Sequence, residues 1–319
     1  RLTMPKGRQH TNVFTANPLM PPLMSPILPD GTPRMRGRRR MHPALRNRSH
    51  DSRNPHRKPR DRMPRKKYLY TSITDDMVET ANQQYKIKDS HVWHREGGKF
   101  RFMYQCAYSI FFAVSWFYTY IWLGVRFVNK EALSPWAGKS LFIYGNHTLP
   151  FGDVALTITL NYPNKVSAMM SPANFGIPVI GKVLEWANML PVPTTQDQHE
   201  DFHKGMDSLI DEGTAIAIYP EAHVWPFYTH IRHFSAKSFA YPVRYGVPVF
   251  CSTVTYQRRR FFRRPKVAVY IDGPFFPEMD GEKDAKSEKL RDQIYAAMVD
   301  RSSESTYEYA AYRKVHPAS

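Results

Sequence analysis

From residue 140 onward, short apolar runs alternate with segments of helical length, and this alternation leaves few folds open. The apolar runs fall at 140–145, 165–170, 214–219, 247–255 and 266–272; helical stretches fall at 153–161, 176–187, 199–211, 234–240 and 283–301. Runs this short and this uniformly apolar suit strands buried on both faces. Strands separated by a helix can pair in parallel, because a crossover connection needs the intervening segment. The pattern therefore predicts an α/β fold over 131–319: a single mixed, largely parallel sheet flanked by helices. No internal repeat is visible.

Two of the predicted strands end in chemistry. The first runs into Gly145-Asn146-His147, passes a Pro150-Phe151-Gly152 turn and meets Asp153, which opens an apolar helix. Ligands on open α/β sheets gather at the carboxyl ends of strands, and a His held by a carboxylate is what a general base needs. The same residues also read as a helix cap and a loop His. The strand 214–219 runs into Pro220-Glu221-Ala222-His223. A turn with a solvated Glu and His would look no different, but two such strand ends can converge on one pocket.

Upstream, residues 102–125 form a run without one charge, rich in Phe, Tyr and Trp. Its length suits a bilayer span, and its aromatics suit a helix lying in one leaflet; a buried core helix is the third reading. Basic residues flank both ends, so charge sets no orientation. The region 68–130 is expected to be a membrane-associating helical region, with a short polar helix at 73–90. Net charge is +17, and 18 of the 45 Lys and Arg fall in residues 1–67 against three acids. With 11 Pro and few aromatics, that segment cannot bury a core and is expected to be disordered. Met63-Pro64-Arg65-Lys66-Lys67 reads as an alternative start, which would leave 1–62 outside the native protein. The remainder is nearly neutral and shows no helix-turn-helix, zinc or aromatic RNA motif, so no specific nucleic-acid partner is expected. Cys106 and Cys251 lie in apolar runs and read as small buried thiols, which suits a reducing, cytoplasmic setting for the catalytic part.

Four stretches in order resemble the glycerolipid acyltransferase superfamily, the lysophosphatidic acid and glycerol-phosphate acyltransferase type. They are Asn146-His147…Asp153, Phe175-Gly176…Gly181…Leu190-Pro191-Val192, Tyr219-Pro220-Glu221-Ala222-His223 and Tyr245-Gly246-Val247-Pro248-Val249. The likeness covers about residues 100–275 and marks the chain as a divergent member. Five residues separate His147 from Asp153 where the family has four. The family's Gly after Glu is Ala222, its Thr-Arg is His223-Val224, and the Arg that closes its second motif is missing.

The resemblance implies a membrane-associated O-acyltransferase that moves a fatty acyl group from acyl-CoA or acyl-carrier protein to a hydroxyl of a lyso-lipid. His147 would be the general base and Asp153 its orienting partner. Asn146, Glu221 and His223 would bind substrate; His223, Arg232 or Lys237 could replace the missing arginines as phosphate ligands, or the acceptor could lack a terminal phosphate. No cofactor is implied beyond the acyl donor, and no metal, since His147, Glu221 and His223 lack zinc spacing. The expected partners are membrane lipids and the acyl donor, and the expected place is the cell membrane with the catalytic domain on its cytoplasmic side. The arginine-rich stretch 257–264 reads as a hairpin turn suited to an anionic membrane or to coenzyme A phosphates. A hydrolase using the same pair on water, and an inactive membrane scaffold, are the rival readings.

Overall fold

The computed structural model describes residues 64, 66–78, 84–93, 95, 97–150, 152–260 and 264–315. Strand β1 (Lys66–Tyr70) comes first, then helix α1 (Gly98–Trp116), which continues as a π-helical turn at Phe117–Trp122. The chain then alternates: β2 (Arg126–Val128), β3 (Phe142–Gly145), α2 (Asp153–Asn161), β4 (Val166–Met170), α3 (Pro172–Phe175), α4 (Ile180–Trp186) and β5 (Leu190–Pro191). It closes with α5 (Gln198–Asp211), β6 (Ala215–Ile218), α6 (Ala240–Tyr245), β7 (Val249–Gln257), β8 (Lys266–Phe275), α7 (Lys283–Ser302) and β9 (Ala310–Lys314).

Seven strands form one sheet in the order β2-β8-β7-β3-β6-β4-β5. Every neighbouring pair is parallel except the β7–β8 hairpin. The sheet is therefore mixed and largely parallel. β3 lies between β6 and β7, and all four of its residues are buried. The core runs along both faces, with Phe142, Tyr144, Ile216, Phe250 and Tyr256 from the sheet against Phe202, Met206, Ile294 and Met298 from the helices. Helix α5 shows the periodicity that places it: Phe202, Met206 and Leu209 are buried at helical spacing, while acids in its first turn face the helix's positive end. A second, two-stranded sheet pairs β1 with β9 in parallel.

The structure departs from the sequence expectations in several places. Lys66 and Lys67, placed by the sequence in a disordered segment, belong to β1; residues 1–63 and 65 lie outside the described residues. The polar helix expected at 73–90 is absent among the described residues of that stretch, which form turns. Its Thr and Asp bond their own backbone instead: Asp75 Oδ2 accepts from Thr71 N (2.6 Å) and Ser72 N (3.2 Å), a local arrangement that competes with a helix. Cys106 is exposed, whereas Cys251 is buried.

The charge-free run lies mostly in α1 and the π-helical turn. Among the described residues no helix is long and apolar enough to cross a membrane. The run instead packs one side onto the domain. Tyr104, Ala107, Tyr108 and Ser115 are buried, and the Tyr108 hydroxyl accepts from Val166 N at the start of β4 (2.8 Å). Ile110, Val114, Phe117, Ile121 and Trp122 face outward and are exposed.

Candidate active site

β3 and β6 are parallel neighbours, with Tyr144 beside Ile218, so the loops that leave the two strands emerge at one edge of the sheet. Asn146 continues β3 by a side-chain strand pairing. Its Nδ2 donates to Val254 O (3.1 Å) and its Oδ1 accepts from Val254 N (2.8 Å) on β7. The next two residues pair with the chain after β6, where Trp225 N donates to His147 O (3.0 Å) and Phe227 N to Thr148 O (2.8 Å). His147 is thus held from both sides by its backbone.

Its side chain meets Asp153, the first residue of α2. Asp153 Oδ2 accepts from the backbone N–H groups of Thr148 and Leu149, both at 3.0 Å, and lies 2.7 Å from His147 Nδ1. The two amides fix Oδ2 as an acceptor, so Nδ1 carries the proton and Nε2 keeps its lone pair. The longer His–Asp gap is absorbed in the turn at 149–152, closed by Gly152 N donating to Leu149 O (3.4 Å). A Cβ on Gly152, at its end, would stand 2.6 Å from the Tyr118 ring, which would have to shift. Burial pushes the Asp153 carboxyl up, and the His147 hydrogen bond and the two amides pull it back. Oδ1 is buried and makes no hydrogen bond among the described residues. A cavity of about 10 Å³ adjoins it, bounded by Asn146, Thr157, Tyr219 and Ser252, which is room for about one water.

Tyr219 fixes the imidazole from below. Its ring lies 4.9 Å from that of His147, at 23°. Thr157 Oγ1 donates to Asp153 O (3.2 Å), so the Tyr219 hydroxyl donates to Thr157 Oγ1 (2.8 Å). Gly145 makes room for it, since a Cβ there would come within 2.8 Å of the Tyr219 ring. Tyr219 stands in the third motif, yet sequence reasoning gave it no role; the aromatic before Pro220-Glu221 was the available signal. Tyr256 bonds Thr148 Oγ1 (2.9 Å) from β7, and no pattern in the chain foretold it.

Three residues expected to bind substrate turn inward instead. Asn146, Glu221 and Arg232 are 3%, 8% and 5% exposed. Glu221 Oε2 accepts from His147 N (3.1 Å), and Oε1 accepts from Arg232 N (2.8 Å). The Arg232 guanidinium donates to Glu221 Oε2 (3.1 Å), to His223 O and to Ile73 O (3.3 Å), and its plane covers Trp225 at 4.9 Å. Burial raises the Glu221 carboxyl, while the Arg232 charge opposes that rise. This buried pair braces the backbone of the base, and among the described residues the Arg232 Nε is left without a hydrogen-bond partner. His223 is part-exposed, with Nδ1 3.5 Å from Asp76 Oδ2. Lys237 is exposed on a 3₁₀ turn and makes no hydrogen bond or ion pair with His147, Asp153 or Glu221.

The loop after β6 is strained and then clamped. Ala222 has φ 64, and around it His223 N donates to Glu221 O (2.8 Å), a tight turn that non-glycine residues rarely adopt. Trp225 is core. It stacks on Tyr312 of β9 at 4.8 Å and 6°, and its Nε1 donates to Asp75 O (2.8 Å). Tyr68 of β1 stacks on the far face of Tyr312 at 4.9 Å. The arginine-rich hairpin turn docks on the π-helical turn: Arg259 donates to Leu123 O, and the Arg264 guanidinium lies 5.0 Å over the Trp122 ring.

No family model matches the chain, and no curated protein matches it. Among solved structures it is similar to the 1-acyl-sn-glycerophosphate (LPA) acyltransferase PlsC from Thermotoga maritima. That likeness has 15% identity and a TM-score of 0.41, over 63% of this chain and 79% of that one.

Proposed function

We propose that this chain is an O-acyltransferase in which His147 takes the proton from an acceptor hydroxyl and that oxygen attacks a thioester carbonyl. The carrying observation is the His147–Asp153 pair, 2.7 Å apart with Nδ1 as donor, at the strand edge where ligands collect. Nε2 is then the proton acceptor, and Asp153 stabilises the imidazolium that forms. Among the described residues no Ser, Thr or Cys side chain hydrogen-bonds to His147, and Cys251 is buried with its thiol pushed up by burial. This favours direct attack by the acceptor over an acyl-enzyme. The donor would be acyl-CoA or acyl-carrier protein. With Arg232 consumed by Glu221, the acceptor is best read as a lipid hydroxyl whose recognition does not need a buried guanidinium fork. His223 is the polar side chain of the third motif left to meet it.

Membrane contact belongs to the same proposal. The exposed Phe117, Ile121 and Trp122, with Arg264 over Trp122, combine aromatic and cationic groups suited to a lipid interface. The test is acceptor-dependent release of thiol from acyl-CoA, run with a panel of lyso-lipids and scored by lipid mass spectrometry. General-base loss should cost His147→Ala at least about a hundredfold in turnover, with an unchanged circular-dichroism melt. Near-normal transfer by the folded variant overturns the assignment. Thiol and free fatty acid released without acceptor would move it to hydrolysis.

A further inference from the structure

Along α2, away from the base, α1 and the π-helical turn leave an aromatic groove of about 390 Å³. Its walls are Phe112, Trp116, Tyr120, Thr159 and Tyr162, and its one charged lining residue is Lys130. The volume lies in the range of small-ligand sites. Phe112 and Tyr162 stack at 4.1 Å and 19° to make a flat wall. Trp116 and Tyr162 are 45% and 54% exposed, so the groove opens at its lip. Thr159 lies six residues beyond Asp153 on the same helix, a helix rise of about 9 Å. The groove is therefore a separate place from the His147 site.

Lys130 gives the groove its sign. Its Nζ donates to Thr159 O (3.2 Å) and lies 5.7 Å from the Phe127 ring centroid. Among the described residues no carboxylate pairs with it. An ammonium held against aromatic walls without a counter-ion is a seat for a monoanion: one negative charge is neutralised there, and a second would stay uncompensated in an apolar site. Burial lowers the Lys130 pKa, which agrees with an ammonium partly withdrawn from water.

We propose that this groove binds a long-chain carboxylate, its head on Lys130 and its alkyl chain between Phe112, Trp116, Tyr120 and Tyr162. The inference stands apart from the acyl-transfer reading and needs no turnover to test. Isothermal titration of the full chain with laurate, below its micellar concentration, should show saturable binding near one per chain. Acetate, which has the head alone, and dodecyl maltoside, which has the chain alone, should each bind at least about tenfold more weakly. Lys130→Gln and Trp116→Ala should each weaken laurate about tenfold, and His147→Ala should leave it unchanged. Dodecylphosphocholine or dodecyl maltoside binding as tightly as laurate overturns the proposal. So does unaltered laurate binding by a folded Lys130→Gln protein, which has lost only a charge at a partly exposed site. Loss of laurate binding in His147→Ala would overturn the separateness of the seat.

Discussion

At the scale of single residues, the proposed chemistry rests on the bonded pair His147 and Asp153. Base catalysis needs Asp153 ionised to hold the imidazole, and a fall in pH removes that condition. Activity should therefore drop on the acid side. Because burial raises Asp153, its protonation falls above the range of an exposed aspartate. The pH profile of kcat/KM measures this, and Asp153→Asn should lower the plateau and remove the carboxylate's part of the acid limb. An unchanged profile in Asp153→Asn would show that the imidazole is oriented by something else. Glu221 is the alternative nearest in the chain's logic, but it bonds the His147 backbone and not its ring. Arg232 makes a sharper residue-scale case. Arg232→Met would leave Glu221 as an unpaired buried charge and should cost about 3–5 kcal/mol in urea unfolding. A loss under about 1 kcal/mol would mean the pair is not buried in solution.

At the scale of elements, the sheet was legible because its strands are uniformly apolar. β3, β4, β6, β7 and β8 follow from runs that could not face water; Asp153 opens α2 but does not cap it, since the cap position is Gly152 and the carboxylate turns back to His147 and the amides before it. β1, β2 and β9 escaped notice because they are short, carry exposed charges and make no apolar run. The stretch after β1 defeats a helical reading because Thr71, Ser72 and Asp75 satisfy one another locally. In the site, spacing revealed the His–Asp pair. Spacing could not reveal that Asn146, Glu221 and Arg232 turn inward, because burial depends on which strands become neighbours. The turn at Ala222 is an element-scale prediction as well. A left-handed φ strains any residue with a Cβ, so Ala222→Gly should relieve about 1 kcal/mol and raise the melting temperature. A lowered melting temperature would show that the turn carries no such strain.

At the scale of the whole molecule, the loop after β6 leans on parts of the chain far from it in sequence. Trp225 is 1% exposed, walled by Arg232 on one side and by Tyr312 and Tyr68 beyond it. Trp225→Ala should cost about 3–5 kcal/mol, and Tyr312→Ala should lower turnover by loosening the loop that holds His147 O. If Tyr312→Ala keeps full activity and stability, the small sheet is a passenger. The outward face of α1 and the π-helical turn has the opposite character, since Ile110, Val114, Phe117, Ile121 and Trp122 are exposed there.

The pairing of β1 with β9 also carries a consequence for timing. Tyr312 closes over the loop after β6 by donating to Pro226 O, across 86 residues of chain. Synthesis adds roughly 5–20 residues per second, so for several seconds the ribosome holds a chain whose sheet is complete but whose Trp225 has no lid. A nascent chain in that interval would have every residue of the His147 site and still lack the clamp that steadies it. The loop after β6 would therefore be steadied only with the arrival of β9 and not with the assembly of the sheet.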